Sequence, residues 1–250
     1  MRLIKKLWPL AFWVAVWQLL ALAVGHTLLL PGPWEVVKTL GDLLPQGDFW
    51  ARIGYSGLRI LGGFFLGLGA AALLALFTYL CPWAGRLVRP LLQFIKAAPV
   101  AGFIILALLW VRSRNLAILI SFLMVLPVLY GAVLGGMEKV DRQLLEMARV
   151  YRISFGRQLV HIWLPGLLPS FRQGCGVALG LCWKSGIAAE VIGLPAGSMG
   201  DALYQAKITL DSPQVFAWTL VIICISFAFE KGFLWLLDRL TRPLRKGECP

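Results

Sequence analysis

Six apolar runs of about 20 residues each, separated by polar segments, leave this chain few folds to choose from. They cover roughly residues 8–30, 56–80, 90–111, 116–137, 170–192 and 214–237. A helical run of that length spans the hydrocarbon core of a bilayer. Backbone amides in lipid find no water, so they must pair within the segment, and long apolar runs become helices. Composition agrees. The chain is 59% hydrophobic and 14% charged, where a soluble domain carries roughly 25% charged residues, and its mean hydropathy is +0.79. The expectation is an all-α membrane protein of about six transmembrane helices. Residues 1–250 form a single domain, with no internal repeat and no separate soluble unit.

The net charge of +12 would suggest a nucleic-acid partner in a soluble chain. Here it follows from retention of Lys and Arg on one side of the membrane. With the N-terminus in the cytoplasm, fourteen Lys and Arg fall on inside segments and five on outside loops. Both termini are therefore expected to be cytoplasmic, with no nucleic-acid partner. Arg112 and Arg114 fit this layout badly, and a re-entrant segment before them would explain the pair. The first apolar run follows Arg2, Lys5 and Lys6 and continues to Leu30. It is longer than the apolar region of a signal peptide and reads as an uncleaved first span.

Soluble chemistry is hard to place on the sequence. Cys81, Cys175, Cys182, Cys224 and Cys249 form no CxxC or Cys/His ligand pattern and read as small apolar packing residues. His26 and His161 are isolated. The segment "GLCWKS" (180–185) lacks the glycine that a phosphate-binding loop carries before its lysine, and it lies inside an apolar run. No nucleotide, metal or catalytic site is expected on this chain. Three GxxxG patterns, Gly63–Gly67, Gly131–Gly135 and Gly176–Gly180, predict close helix contacts within the bundle or between two copies.

The exception to the apolar pattern is the segment about 138–169. Within it, "EMARVYRISFGRQLVHIWLP" (146–165) is rich in Arg. Leu144, Leu145, Ala148 and Tyr151 share one helical face, while Arg142, Glu146, Arg149 and Arg152 take most of the rest. "ISFG" breaks the helix, "RQLVHIWLP" resumes it, and Pro165 and Pro169 bound the return to the bilayer. An amphipathic elbow of this kind suits either an anionic lipid surface or a cytoplasmic protein partner.

The same segment resembles the EAA loop of binding-protein-dependent ABC importer permeases. Glu146, Met147 and Ala148 stand for E-A-A, and Ile162, Leu164 and Pro165 for the I-x-L-P that follows. Arg152 occupies the place of the family's glycine, so Gly156 could supply the turn instead. Further segments, "LLLPGPWEVVKTL", "IKAAPVAGFIILALLWV", "GIAAEVIG" and "DRLTRPL", resemble the nitrate/sulfonate/taurine branch. The third of these includes Ala189 and Glu190. The resemblance implies a type I (MetI-like) importer fold and a permease subunit, not an enzyme, in the bacterial cytoplasmic (inner) membrane. It implies a second permease copy, an extracytoplasmic substrate-binding protein, and cytoplasmic ATPase subunits that carry the ATP and Mg. Glu146, Ala148, Arg149, Arg152, Ser154, Phe155, Gly156 and Pro165 would then meet the ATPase. The substrate would be a small anion such as nitrate, a sulfonate such as taurine, or bicarbonate, or else a pyrimidine vitamin precursor.

Four residues are candidates for the pathway: Lys96, Pro99, Lys184 and Glu190. Lys184 lies deep in the fifth run, where a charge costs at least ~2.5 kcal/mol in lipid and by default faces a cavity or partner. Snorkelling outward or pairing with Glu190 are its other options. Glu190 could gate, pair with Lys184 or Lys207, or reach water. Arg59 is expected to snorkel from a span end. Trp183 reads as core packing before substrate contact. An ion-coupled carrier or channel without an ATPase is the alternative function, but it calls for paired repeats around a midplane carboxylate.

Overall fold

The computed structural model describes residues 2–245, so Lys246 and Cys249 lie outside the described residues. Eleven α-helices and one π-helical turn make up the described chain, with no strand among these residues. α1 (Arg2–Val24) is followed by the short α2 (Pro33–Leu43) and the long α3 (Gly47–Leu80). α4 (Pro82–Ala97) and α5 (Val100–Ala107) meet at a sharp bend, and α6 (Ser113–Glu138) follows. The elbow holds α7 (Arg142–Val150), α8 (Phe155–Gln158) and the π turn Leu159–Trp163. α9 (Leu164–Gly193), α10 (Met199–Ile208) and α11 (Ser212–Arg245) complete the chain.

Four stretches are long and apolar enough to span a membrane: Gly47–Leu80, Ser113–Glu138, Phe155–Gly193 and Ser212–Arg242. The expected third span, 90–111, is corrected, because it is not one helix. α4 and α5 bend by 101° at Ala98, which is extended with φ −75° and ψ 141°. Pro99 is the cause, since its ring disfavours the helical conformation in the residue before it. The expected first span, 8–30, is also shortened. α1 ends at Val24, Gly25 takes φ +66°, and the apolar part of the helix is Ala11–Val24.

Direction follows from contacts. A Cβ on Gly63 would lie 2.7 Å from Ser121 Cβ, and one on Gly67 would lie 3.0 Å from Val125. Further along, the Tyr130 hydroxyl bonds Thr78 at 3.2 Å. α3 and α6 therefore run parallel, and the chain between them must recross. α4–α5 is that crossing, in broken form, and not a re-entrant loop. Arg112 and Arg114 accordingly sit at the end of the bundle away from the elbow. α9 runs antiparallel to both helices. Gly136 meets Leu167 and Gly186 meets Ile60 and Ser121, while Ser56 reaches Glu190. α11 returns beside α9, with Arg172 forming a two-pronged ion pair to Asp238 at 2.7 and 2.9 Å.

The core lies where α3, α6 and α9 meet, around buried Ile60, Phe64, Val125, Leu129, Leu179 and Trp183. Glycine sets the spacing here. Gly63 and Gly67 press on α6, so that GxxxG pair works inside the bundle. Gly131, Gly135 and Gly180 face open space instead. At the end opposite the elbow, α10 packs back on the body with Met199, Gly200, Ala202 and Ala206 buried.

The elbow, the exposed face of α9 and a buried carboxylate

Asp141 starts α7 by accepting the Gln143 N–H at 2.8 Å, an N-cap that satisfies one orphan donor. The helix ends in a Schellman turn. Ile153 N–H bonds the Ala148 carbonyl at 2.9 Å, and Arg152 N–H bonds the Arg149 carbonyl at 3.1 Å. Such a turn needs a left-handed residue after the cap, and Arg152 supplies it with φ +50°. The chain thus turns at the arginine that replaces the family's glycine. Gly156 has no positive φ and lies within α8.

Ala148 is completely buried and anchors α7 to the turn. Glu146, Arg149, Arg152, Ser154 and Gly156 are exposed, and Phe155 is 72% exposed. Between them Val150 and Tyr151 are exposed as well, at 79% and 74%, so the outer elbow mixes charged, aromatic and apolar side chains. Pro165 is half-buried where the elbow joins α9. Proline there has no N–H for the preceding turn and would crowd the carbonyl four residues back. The helix widens just before it, with Leu164 N–H bonding Leu159 O over five residues. Elbow and span remain continuous from Phe155 to Gly193.

The four pathway candidates form no hydrogen bond or ion pair with one another among the described residues. Lys96 is exposed in the last turn of α4, and Pro99 makes the bend. Lys184 is exposed on α9 and has no hydrogen-bond or ion-pair partner among the described residues. Gln173, Val177 and Leu181 are exposed on the same helix, spaced so that they line up with Lys184. Trp183 turns the other way, buried against Phe229 with ring centroids 5.6 Å apart.

Of the options open to Glu190, water is excluded. The residue is completely buried and pairs with neither Lys184 nor Lys207. One carboxylate oxygen accepts the Ser56 hydroxyl at 2.7 Å and the Gly200 N–H at 3.2 Å. Ser56 in turn accepts the Met199 N–H at 2.9 Å. The carboxylate and the hydroxyl together receive the first free amides of α10, where the helix dipole favours negative charge. Arg59, expected to snorkel, is 9% exposed. Its guanidinium stacks over Tyr55 at 4.0 Å and acts electrostatically on Glu190. The sequence reading passed over Ser56 and Gly200. The available signal was a serine three residues before an arginine, one helical turn apart in an apolar run.

Residues 63–246 match the binding-protein-dependent transport system inner membrane component family. The chain belongs to that family.

Its relatives narrow the branch. The chain is 36% identical over 207 residues to the Escherichia coli (strain K12) permease protein SsuC, named for aliphatic sulfonates transport, covering 81% of this chain and 77% of the relative. It is 26% identical over 259 residues to the taurine transport system permease protein TauC of the same organism, covering 96% and 94%. A crystal structure of an amino acid ABC transporter matches the fold with a TM-score of 0.53 at 16% identity, over 77% of this chain and 90% of that one. The protein is thus an ABC importer permease of the sulfonate/taurine/nitrate branch, with the type I (MetI-like) fold and several membrane spans.

Proposed function

We propose that this permease subunit pairs with a second copy to carry a small anion through the bacterial cytoplasmic membrane, driven by separate ATPase subunits that grip its elbow. The elbow side is cytoplasmic, as are both termini. ATP and Mg bind the partner ATPase. An extracytoplasmic binding protein delivers substrate to the opposite side, where α2, α10 and Arg112 lie. Among small anions a sulfonate is favoured, because the named relatives transport aliphatic sulfonates and taurine.

One observation carries the reading. A single helical path links the exposed elbow to the buried carboxylate at the other end of the bundle. From Phe155 to Gly193 it is continuous, and Glu190 on its last turns holds the N-terminus of α10. Closure of two ATPases around Glu146, Arg149, Arg152, Ser154 and Phe155 would push on one end of α9. A rigid helix passes that displacement on to α10, on the side where substrate arrives. Pro165 and the π turn provide the local adjustment. Ala148 keeps α7 attached to its turn while the load is applied.

Lys184 would supply the electrostatics. An exposed, unpartnered lysine on a spanning helix is costly against lipid. Against a pathway between two copies, it offers a cation to an anionic substrate. Lys96 and the Pro99 bend lie on the broken span and would shape the pathway wall.

Gentle extraction of the tagged protein with its native operon, followed by an ATPase assay on the eluate, tests the proposal. A co-purifying ATPase with ATP turnover is the expected result. A chain that purifies alone and transports an anion in vesicles without ATP would overturn it in favour of an ion-coupled carrier.

A further inference from the structure

Two cavities at the elbow end of α3 have Tyr79 as a common wall, and their chemistries differ. The first has a volume of about 290 Å³. Its walls are all apolar or aromatic, with Leu76 and Leu80 from α3, Met137 from α6, and Phe155, Leu159 and Leu167 from the elbow and α9. An apolar cavity of about 150 Å³ already takes up a benzene-sized ligand and excludes water. This one is about twice that size, enough for a length of hydrocarbon chain. The second cavity, of about 360 Å³, lies between α3, α4 and α6 and carries Arg86, Arg89 and Glu138.

Tyr79 lines both cavities. Its ring meets Trp163 edge-on at 5.3 Å. Trp83, at the start of α4, is 64% exposed. Aromatic residues of this kind collect at the boundary between hydrocarbon and headgroups. The apolar cavity therefore lies on the hydrocarbon side of that boundary, and the two arginines lie on the headgroup side. Arg89 is held 3.5 Å from Glu138, while Arg86 is exposed with no ion-pair partner among the described residues.

We propose that these two neighbouring cavities form a binding site for one anionic phospholipid, its phosphate against Arg86 and Arg89 and an acyl chain in the cavity lined by Phe155 and Leu159. A soluble partner would use the outer surface of the elbow. This recess combines an open apolar groove with a neighbouring pair of arginines, the two features that a phospholipid's acyl chain and phosphate call for. The site touches the elbow from beneath, so its lipid would set how firmly the elbow rests on α3 and α6. The assignment rests on the two cavities and not on the ATPase reading, although Phe155 belongs to both surfaces.

The test is native mass spectrometry of the full chain, released from detergent after titration with phosphatidylglycerol or phosphatidylcholine. Each basic side chain near an anionic headgroup contributes a few-fold in affinity, so phosphatidylglycerol should be preferred roughly tenfold. The double variant Arg86→Ala, Arg89→Ala should bring that preference close to one, while Arg86→Lys, Arg89→Lys keeps most of it. Leu76→Trp and Leu159→Trp, which fill the groove from opposite walls, should each weaken phosphatidylglycerol retention several-fold. Thermal unfolding of every variant checks that the bundle is intact. Three results would overturn the proposal: an unchanged preference without the arginines, full retention with the groove filled, or displacement of the lipid by glycerol phosphate at equal concentration.

Discussion

Ser56 on α3 and Glu190 on α9 share a hydrogen bond of 2.7 Å, far from water and 134 positions apart in sequence. Between them they receive the amides of Met199 and Gly200 and so clamp three helices at one point. A buried donor left without its acceptor costs about 1–3 kcal/mol, and Glu190 is the acceptor for two such donors. Glu190→Ala should therefore destabilise the protein by about 2–4 kcal/mol and raise hydrogen exchange along Met199–Ile208. Glu190→Gln, which keeps an acceptor of the same shape, should lose less. Thermal unfolding with exchange mass spectrometry measures both. Wild-type exchange in α10 of the alanine variant would remove the clamp from the account.

Gly200 offers a second way to open the same contact. A Cβ there would lie 2.7 Å from the Glu190 carbonyl carbon and 2.7 Å from Val191 N. Both are backbone atoms of α9, so no side chain can swing away. Gly200→Ala should cost about 1–3 kcal/mol through overpacking and shift α10 off the bundle. Gly131→Ala is the control, because a Cβ there meets nothing within 4 Å. Equal melting temperatures for the two variants would contradict the close approach.

At Arg152 the prediction has the opposite sign. The residue is held at φ +50°, where a Cβ costs roughly 1–2 kcal/mol and glycine carries no such penalty. Arg152→Gly should slow hydrogen exchange at Ile153 and Arg152, whose amides close the turn, by about tenfold for a gain near 1.4 kcal/mol. Arg152→Val should speed it. Faster exchange in the glycine variant would mean that the arginine side chain itself holds the turn.

These positions show what the sequence could and could not reveal. Apolar run length located α3, α6, α9 and α11, because lipid leaves the backbone no other solution. The elbow was equally legible from Ala148, the basic face around it and Pro165. Pro99 was visible as an interruption, but a sequence pattern does not say whether a proline kinks a helix or bends it by 101°. The enclosure of Glu190 did not show in the sequence, because its partners, Ser56 and Gly200, come from other helices and leave no periodic trace. Arg59 failed for the same reason. Its nearness to a span end suggested snorkelling, whereas its guanidinium is buried and stacks over Tyr55. Arg152 was read through its residue type, and the Schellman bonds to Ala148 and Arg149 outweigh that local preference.

The outer surface of the elbow should be sensitive in function but not in stability. Glu146 and Phe155 are both exposed, so Glu146→Arg and Phe155→Asp should each change folding stability by no more than about 0.5 kcal/mol. Either should reduce recovery of the ATPase with the tagged permease several-fold. Quantified co-purification beside a melting curve separates the two effects. Normal ATPase recovery with both variants would assign the elbow to a membrane-surface role.

Lys184 makes the substrate question testable without knowing the substrate in advance. Its position on the exposed side of α9 next to Leu181 leaves lipid or the pathway as its surroundings. Lipid contact predicts that Lys184→Leu improves stability and leaves uptake alone, since a charge is removed from hydrocarbon. Pathway contact predicts that the same change cuts uptake of a sulfonate by roughly 10–100-fold, the range for losing a charge-assisted hydrogen bond, while ATPase recovery stays normal. Lys184→Arg should retain most uptake, and Lys184→Glu should abolish it by repelling the anion. Uptake of labelled taurine or a short alkanesulfonate by cells expressing the complete operon provides the readout. Normal uptake with Lys184→Glu would place this lysine outside the pathway and leave anion selection to the binding protein.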